Sequence, residues 1–285
     1  MAIKDLQRHI PLEKSWIIRM GVLDLIHGRS QISIFLESTP NLSDDLLALK
    51  QAVKVWPTNQ TVDVGESGTL IRFLQFTSWK LNLKKEFRAK GTLKNRTINN
   101  NPAIIELNQK ELLRFDGGTS QWASAKALLG DKHRISKPPH LLGITYEAID
   151  HWNTQISQNL DWQPKLDRTI YRQAKYFLQL FKNSKTNFKP IQAEDYCFAR
   201  ALNLITQEEG LDRWPQLQNH ESNRIIEMEK ELDNFINGRE IQSKDHRVIQ
   251  AIAILAKKQD KKVIFRHPQS VSKTWPLFWE FLESV

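Results

Sequence analysis

The stretch KDHRVIQAIAIL, residues 244–255, sets Lys244, His246 and Arg247 at the head of an apolar run with helical period. A helix N-terminus already carries roughly half a positive charge and free N–H groups, so cations there are favourable only when something anionic joins them. Four other starts repeat the pattern: EKSWIIRMGVL (Lys14, Ser15, Arg19), GESGTLIRFL (Gly68, Thr69, Arg72), GGTSQWASAKALL (Thr119, Ser120, Gln121) and SVSKTWPLFWEFL (Ser272, Lys273). Any one of them alone reads as an ordinary cap or a solvated cation. Five in one chain point to a shared site for a polyanion, held by charge-assisted hydrogen bonds.

Other reactive groups are sparse. Asp195 and Glu221 stand near helix starts, where carboxylates are favourable on dipole grounds alone, and Arg224 is an i,i+3 neighbour of Glu221. The single cysteine, Cys197, falls in a helical pattern with Phe198, Ala201 and Leu202 and reads as core, with no disulfide partner in the chain. The eight histidines make no HExxH or similarly spaced pair, so no metal site is expected.

The elements that must carry these residues follow from periodicity. Helices are expected near 14–27, 43–56, 67–79, 120–129, 142–153, 168–182, 193–207, 221–236, 246–257 and 274–284, with short strands such as QISIFLE and KKVIFRH between them. This alternation predicts an α/β architecture. With 285 residues, 40% hydrophobic and 26% charged, the chain is long enough for about two domains by the ~150-residue prior. No apolar run approaches the ~20 residues of a membrane span, and MAIKDLQRHIPLEKS lacks the apolar centre of a signal peptide, so a cytoplasmic protein with no membrane contact is expected. A net charge of +9 favours anionic partners. Nucleic acid is one candidate, although RNP, KH, zinc-finger and basic-zipper signatures are lacking and the basic residues are spread along the chain; small phosphorylated or carboxylated molecules are the other.

Nine short segments, in order, resemble motifs of the 5-enolpyruvylshikimate-3-phosphate synthase family. PLEKSWIIR resembles P-G-S-K-S-x-x-x-R; NLSDDLLAL the S-D-D helix; VGESGTLIRFL G-N-A-G-T-x-x-R; GGTSQWASAKALL the S-S-Q helix; ISKPP the S-K-P-Y segment. AEDYCFARALNLI is similar to the helix headed by the family's catalytic aspartate, NHESNRIIEM to K-E-x-x-R, KDHRVIQAIAI to D-H-R-x-A-M, and SVSKTWPLFWEFL to S-K-S-x-P-x-F-x-x-x-L. The resemblance implies a two-domain fold of βαβαββ units whose helix N-termini face an inter-domain cleft. Several intervals are compressed, so some peripheral hairpins would be missing. Residues 14–163 would form a first lobe on the shikimate phosphate side, and 1–13 with 164–285 a second lobe on the proton-transfer and phosphoenolpyruvate side.

It implies an activity as well: transfer of the enolpyruvyl group of phosphoenolpyruvate to a hydroxyl of shikimate 3-phosphate, with release of phosphate, by a monomer needing no cofactor. Gly68, Thr69, Arg72, Gln121, Arg224, Arg247 and Lys273 would hold phosphoenolpyruvate; Ser15, Arg19, Thr119, Ser120 and Ser136 would hold the acceptor. Asp195 and Glu221 would move protons, with Lys14 and His220 beside them. Departures are visible: Glu66 replaces an Asn, His220 a Lys and Pro139 an aromatic residue, while Thr92 stands where the family binds phosphoenolpyruvate with an Arg, leaving Lys94 or Arg96 to compensate. The alternatives are a binding protein on the same fold, which releases no phosphate, and an RNA 3′-end enzyme, which would bind RNA with a steep salt dependence.

Overall fold

The computed structural model describes residues 3–115, 120–130, 140–158, 164–181, 187–219 and 222–285. The chain divides into two compact units, Leu12–Lys165 and Met1–Pro11 with Leu166–Val285. Both are mostly helical, each with its own apolar core.

In the Leu12–Lys165 unit the Lys14–Ile26 helix is buried on nearly every side from Trp16 to Asp24, which marks it as the central element. Its start is capped by the Glu13 carboxylate, which accepts from Ser15 N at 3.3 Å. Gly21 lets it approach the Asp44–Val55 helix, since a Cβ at that position would lie 2.9 Å from Leu49 Cδ1. The strands Val62–Gly65 and Phe87–Ala89 pair in parallel, Val62 opposite Phe87, and the Gly68–Lys80 helix lies between them in sequence. That is one βαβ unit, and its helix starts just past the C-terminal end of its first strand. The Gln121–Gly130 helix packs against Gly68–Lys80.

In the other unit the His246–Lys258 helix takes the central place, buried from His246 through Ala256. It packs against the Tyr196–Ala201 and Arg224–Ile236 helices and against the 3-10 turn Pro268–Lys273.

The expected strands are largely replaced by other structure. Among the described residues the only named strands are the parallel pair above, so the repeated βαβαββ units are not seen there. QISIFLE is helical, within Gln31–Ser38. Ile32 and Leu36, four apart, are buried on one face, and Asp24 accepts from Ile32 N at 2.7 Å to hold the helix start. KKVIFRH contributes only an isolated parallel bridge between Ile241 and Phe265, with Ile264 exposed to solvent. The last helix begins at Phe278, so Ser272 and Lys273 lie in the preceding 3-10 turn instead of at its mouth.

Candidate anion-binding sites

The first cluster belongs to the Leu12–Lys165 unit, at the start of the Gly68–Lys80 helix. Arg72 is 8% exposed; its Nη1 donates to Gly68 O at 3.0 Å and to Gln121 Oε1 at 3.0 Å. Gln121 Nε2 donates to Thr69 Oγ1 at 3.0 Å. Gly68, Thr69, Arg72 and Gln121 are therefore joined in one network across two helix starts. Ser120 precedes Gln121 and its carbonyl accepts from Ser124 N at 2.8 Å.

Arg19 and Lys14 have partners within the same unit. The Arg19 guanidinium is buried and donates to Thr145 Oγ1 at 2.8 Å, Ser15 O at 2.7 Å and Ser124 Oγ at 3.3 Å. Burial pushes its pKa down to about 10, against the opposing pull of the Glu13 charge. Lys14 Nζ lies 2.5 Å from Asp45 Oδ2, so the S-D-D segment supplies its counter-ion. Ser15 contributes its backbone to both the Glu13 cap and the Arg19 bond.

The second cluster belongs to the other unit and centres on Asp245, the N-cap of the His246–Lys258 helix. Its Oδ1 accepts from Arg247 N at 2.8 Å, while Oδ2 accepts from Arg224 Nε at 2.9 Å and from Ser222 Oγ at 3.1 Å. Burial alone would push this carboxyl up; the Arg224 charge and the hydrogen bonds from Arg224, Arg247 N and Ser222 hold it below the usual carboxylate range. Arg247 is 8% exposed, and its Nη1 is buried with no hydrogen-bond partner among the described residues. The Asp245 carboxylate thus caps the helix start with one oxygen and pairs with the Arg224 guanidinium through the other.

No protein-family model, curated protein or solved structure matches the chain.

The remaining expected residues are placed as follows. Lys273 is half-buried at the end of its 3-10 turn, and the next residue, Thr274, accepts from Gln250 Nε2 at 3.2 Å, one turn along the helix from Arg247. Asp195 is fully buried and already well supplied with donors: Gln173 Nε2 at 3.0 Å, Ile191 N at 3.0 Å, Gln192 N at 3.3 Å and the Arg172 guanidinium. Thr119, Ser136, His220 and Glu221 lie outside the described residues. Among those described, no group of three His, Cys, Asp or Glu side chains is arranged to hold a metal ion, and no helix is long and apolar enough to cross a membrane.

Sequence reasoning missed the part played by Asp245. An aspartate directly before the first helical residue is a favoured N-cap, and that signal was present in KDHR. The Arg172 and Gln173 contacts to Asp195 had no comparable signal, because they join residues 23 and 22 positions apart through packing.

Proposed function

We propose that this chain is a compact enolpyruvyl transferase on the two-domain fold its motifs resemble, joining phosphoenolpyruvate to a hydroxyl of shikimate 3-phosphate. The observation that carries the reading is Arg247. A guanidinium that is nine-tenths buried, with an Nη1 lacking any hydrogen-bond partner among the described residues, sits at the start of a 13-residue helix whose N-cap, Asp245, pairs with Arg224. Leaving such a donor buried and unmade costs about 1–3 kcal/mol, and an oxyanion removes that cost. The Arg72–Gln121–Thr69 network offers a comparable helix start in the other unit. Both substrates carry a phosphate and a carboxylate, so two cationic clusters suit the pair.

The reaction would add the acceptor hydroxyl oxygen to the enol carbon of phosphoenolpyruvate as the methylene carbon takes a proton. The tetrahedral intermediate then loses phosphate by C–O cleavage and returns one proton from its methyl group, which regenerates the enol double bond. Cations stabilise the departing phosphate, and a carboxylate exchanges the protons.

Asp195 favours a second reading, an anion-binding protein without turnover. A carboxylate enclosed by four donors, the Arg172 guanidinium among them, is an anchor for its own loop. Phosphate release from phosphoenolpyruvate, measured with and without shikimate 3-phosphate, separates the two. Release that requires both substrates supports the transferase. Binding of phosphoenolpyruvate without release, whatever the acceptor, leaves the binding protein.

A further inference from the structure

The segment KKVIFRH, residues 261–267, has one backbone edge paired and the other free. Ile241 N donates to Ile264 O at 2.9 Å and Arg266 N donates to Ile241 O at 3.0 Å, a parallel bridge centred on Phe265. In such a ladder successive residues turn their N–H and C=O groups to opposite edges. Ile264 and Arg266 therefore serve Ile241, while Val263 and Phe265 turn theirs the other way. Neither Val263 nor Phe265 has a backbone hydrogen bond among the described residues.

Burial along the segment alternates as it does on an edge strand. Val263 and Phe265 are half-buried against the core of their unit, and the Phe265 ring lies 5.4 Å from that of Trp279, which holds the segment down. Lys262, Ile264 and Arg266 are exposed, Ile264 by 71%. Arg266 Nη1 donates to Gln242 Oε1 at 2.8 Å, a neutral partner that leaves its charge intact. Residues 258–266 expose the cations Lys258, Lys261, Lys262 and Arg266 against a single acid, Asp260. Glu240 lies on the paired side, next to Ile241, where it accepts from Gln242 Nε2 at 2.7 Å.

We propose that this edge is a docking site for a partner protein, which lays an extended acidic segment of the pattern acid–x–apolar–x–acid alongside residues 262–266. The free N–H and C=O groups of Val263 and Phe265 take main-chain hydrogen bonds, Ile264 packs on the apolar residue, and Lys262 and Arg266 meet the two acids. Charge decides the occupant. A second copy of this chain would bring Lys262 and Arg266 against their own kind, within a molecule of net charge +9, and cations on an edge act to keep identical edges apart. An acidic segment turns the same cations into attraction. The inference uses no residue of the anion sites described above and stands or falls without them.

The test is fluorescence anisotropy of the full chain with a fluorescein-labelled peptide, Glu-Val-Ile-Val-Glu between Gly-Ser flanks, which should bind saturably. Two control peptides separate backbone pairing from charge: one with its central amides N-methylated, the other with the same residues reordered so that both Glu stand together. Each should bind about tenfold more weakly, through lost hydrogen bonds or lost register. Lys262→Glu combined with Arg266→Glu should also weaken the parent peptide about tenfold or more, and Ile264→Ser about threefold. Lys54→Glu combined with Lys110→Glu makes the same charge change in the other unit and should stay within about twofold of wild type. All these side chains are exposed, so the fold is kept. Absence of saturable binding overturns the site. Equal binding of either control peptide overturns it as well, since charge alone would then suffice. Sedimentation of the full chain is the last arm: self-association that Lys262→Glu with Arg266→Glu abolishes would give the edge to a second copy and overturn the partner.

Discussion

Arg224 Nε stands 2.9 Å from Asp245 Oδ2 with both side chains almost wholly buried, so this pair is the electrostatic anchor of its unit. The Asp245 carboxyl is held below its ordinary value in the fold. A depressed acid contributes stability that is complete above the unfolded pKa, near ~3.9, and is lost as pH falls through the folded value. Asp245→Asn should therefore cost about 3–5 kcal/mol at pH 7, the usual penalty for breaking a buried pair. That gap to wild type should narrow below about pH 4, as the wild-type carboxyl itself becomes protonated. Urea melts at pH 7 and pH 3 measure it; a gap independent of pH would show that the charge of Asp245 contributes nothing.

Arg247→Ala removes the buried Nη1 and should weaken phosphoenolpyruvate binding at least tenfold, since charge-assisted contacts are worth about 1.5–3 kcal/mol. Titration calorimetry on the variant alone is sufficient. Unchanged affinity would place the ligand elsewhere.

Asp195→Asn keeps the shape and alters two readouts. Loss of the charge facing Arg172 should lower stability by about 1–3 kcal/mol, followed by thermal denaturation. If Asp195 also exchanges protons with substrate, phosphate release should fall about 10²–10⁴-fold while phosphoenolpyruvate affinity stays near wild type. A stability loss with wild-type turnover would confine Asp195 to an anchoring role.

Gly91→Ala should destabilise by about 1–2 kcal/mol, because an alanine pays to hold a left-handed φ. It must also push Glu66 aside, so Thr92 loses its acceptor. Urea denaturation measures the combined effect, and a fully stable variant would mean that the Glu66–Thr92 contact is dispensable.

Much of the helical layout was legible because periodicity and capping are local. The helix expected near 246–257 is His246–Lys258, and the one near 67–79 is Gly68–Lys80. QISIFLE suits strand or helix over so short a run because of its β-branched residues; the helix is supported by burial of Ile32 and Leu36 on one face and by the Asp24 carboxylate, eight positions earlier, which accepts from Ile32 N. At the candidate sites, motif order brought Thr69, Arg72 and Gln121 together on paper, although they stand 52 and 49 residues apart where they bond. The Thr145 partner of Arg19 lies 126 positions away and reached it only through packing, which no local pattern encodes.

Cys197 gives this chain a built-in reporter. It is the single thiol in the sequence, 2% exposed, and it lies in the core of the unit that carries Arg247, whereas the Leu12–Lys165 unit has none. Burial also pushes its pKa up, so the reactive thiolate is scarce while the unit stays closed. A thiol reagent can modify it only during an opening event, and the labelling rate times the breathing of that unit alone. Because the Cys197 helix packs directly on the helix headed by Arg247, occupancy of that helix start by an anion should be readable as a slower label, with no mutation and no attached probe.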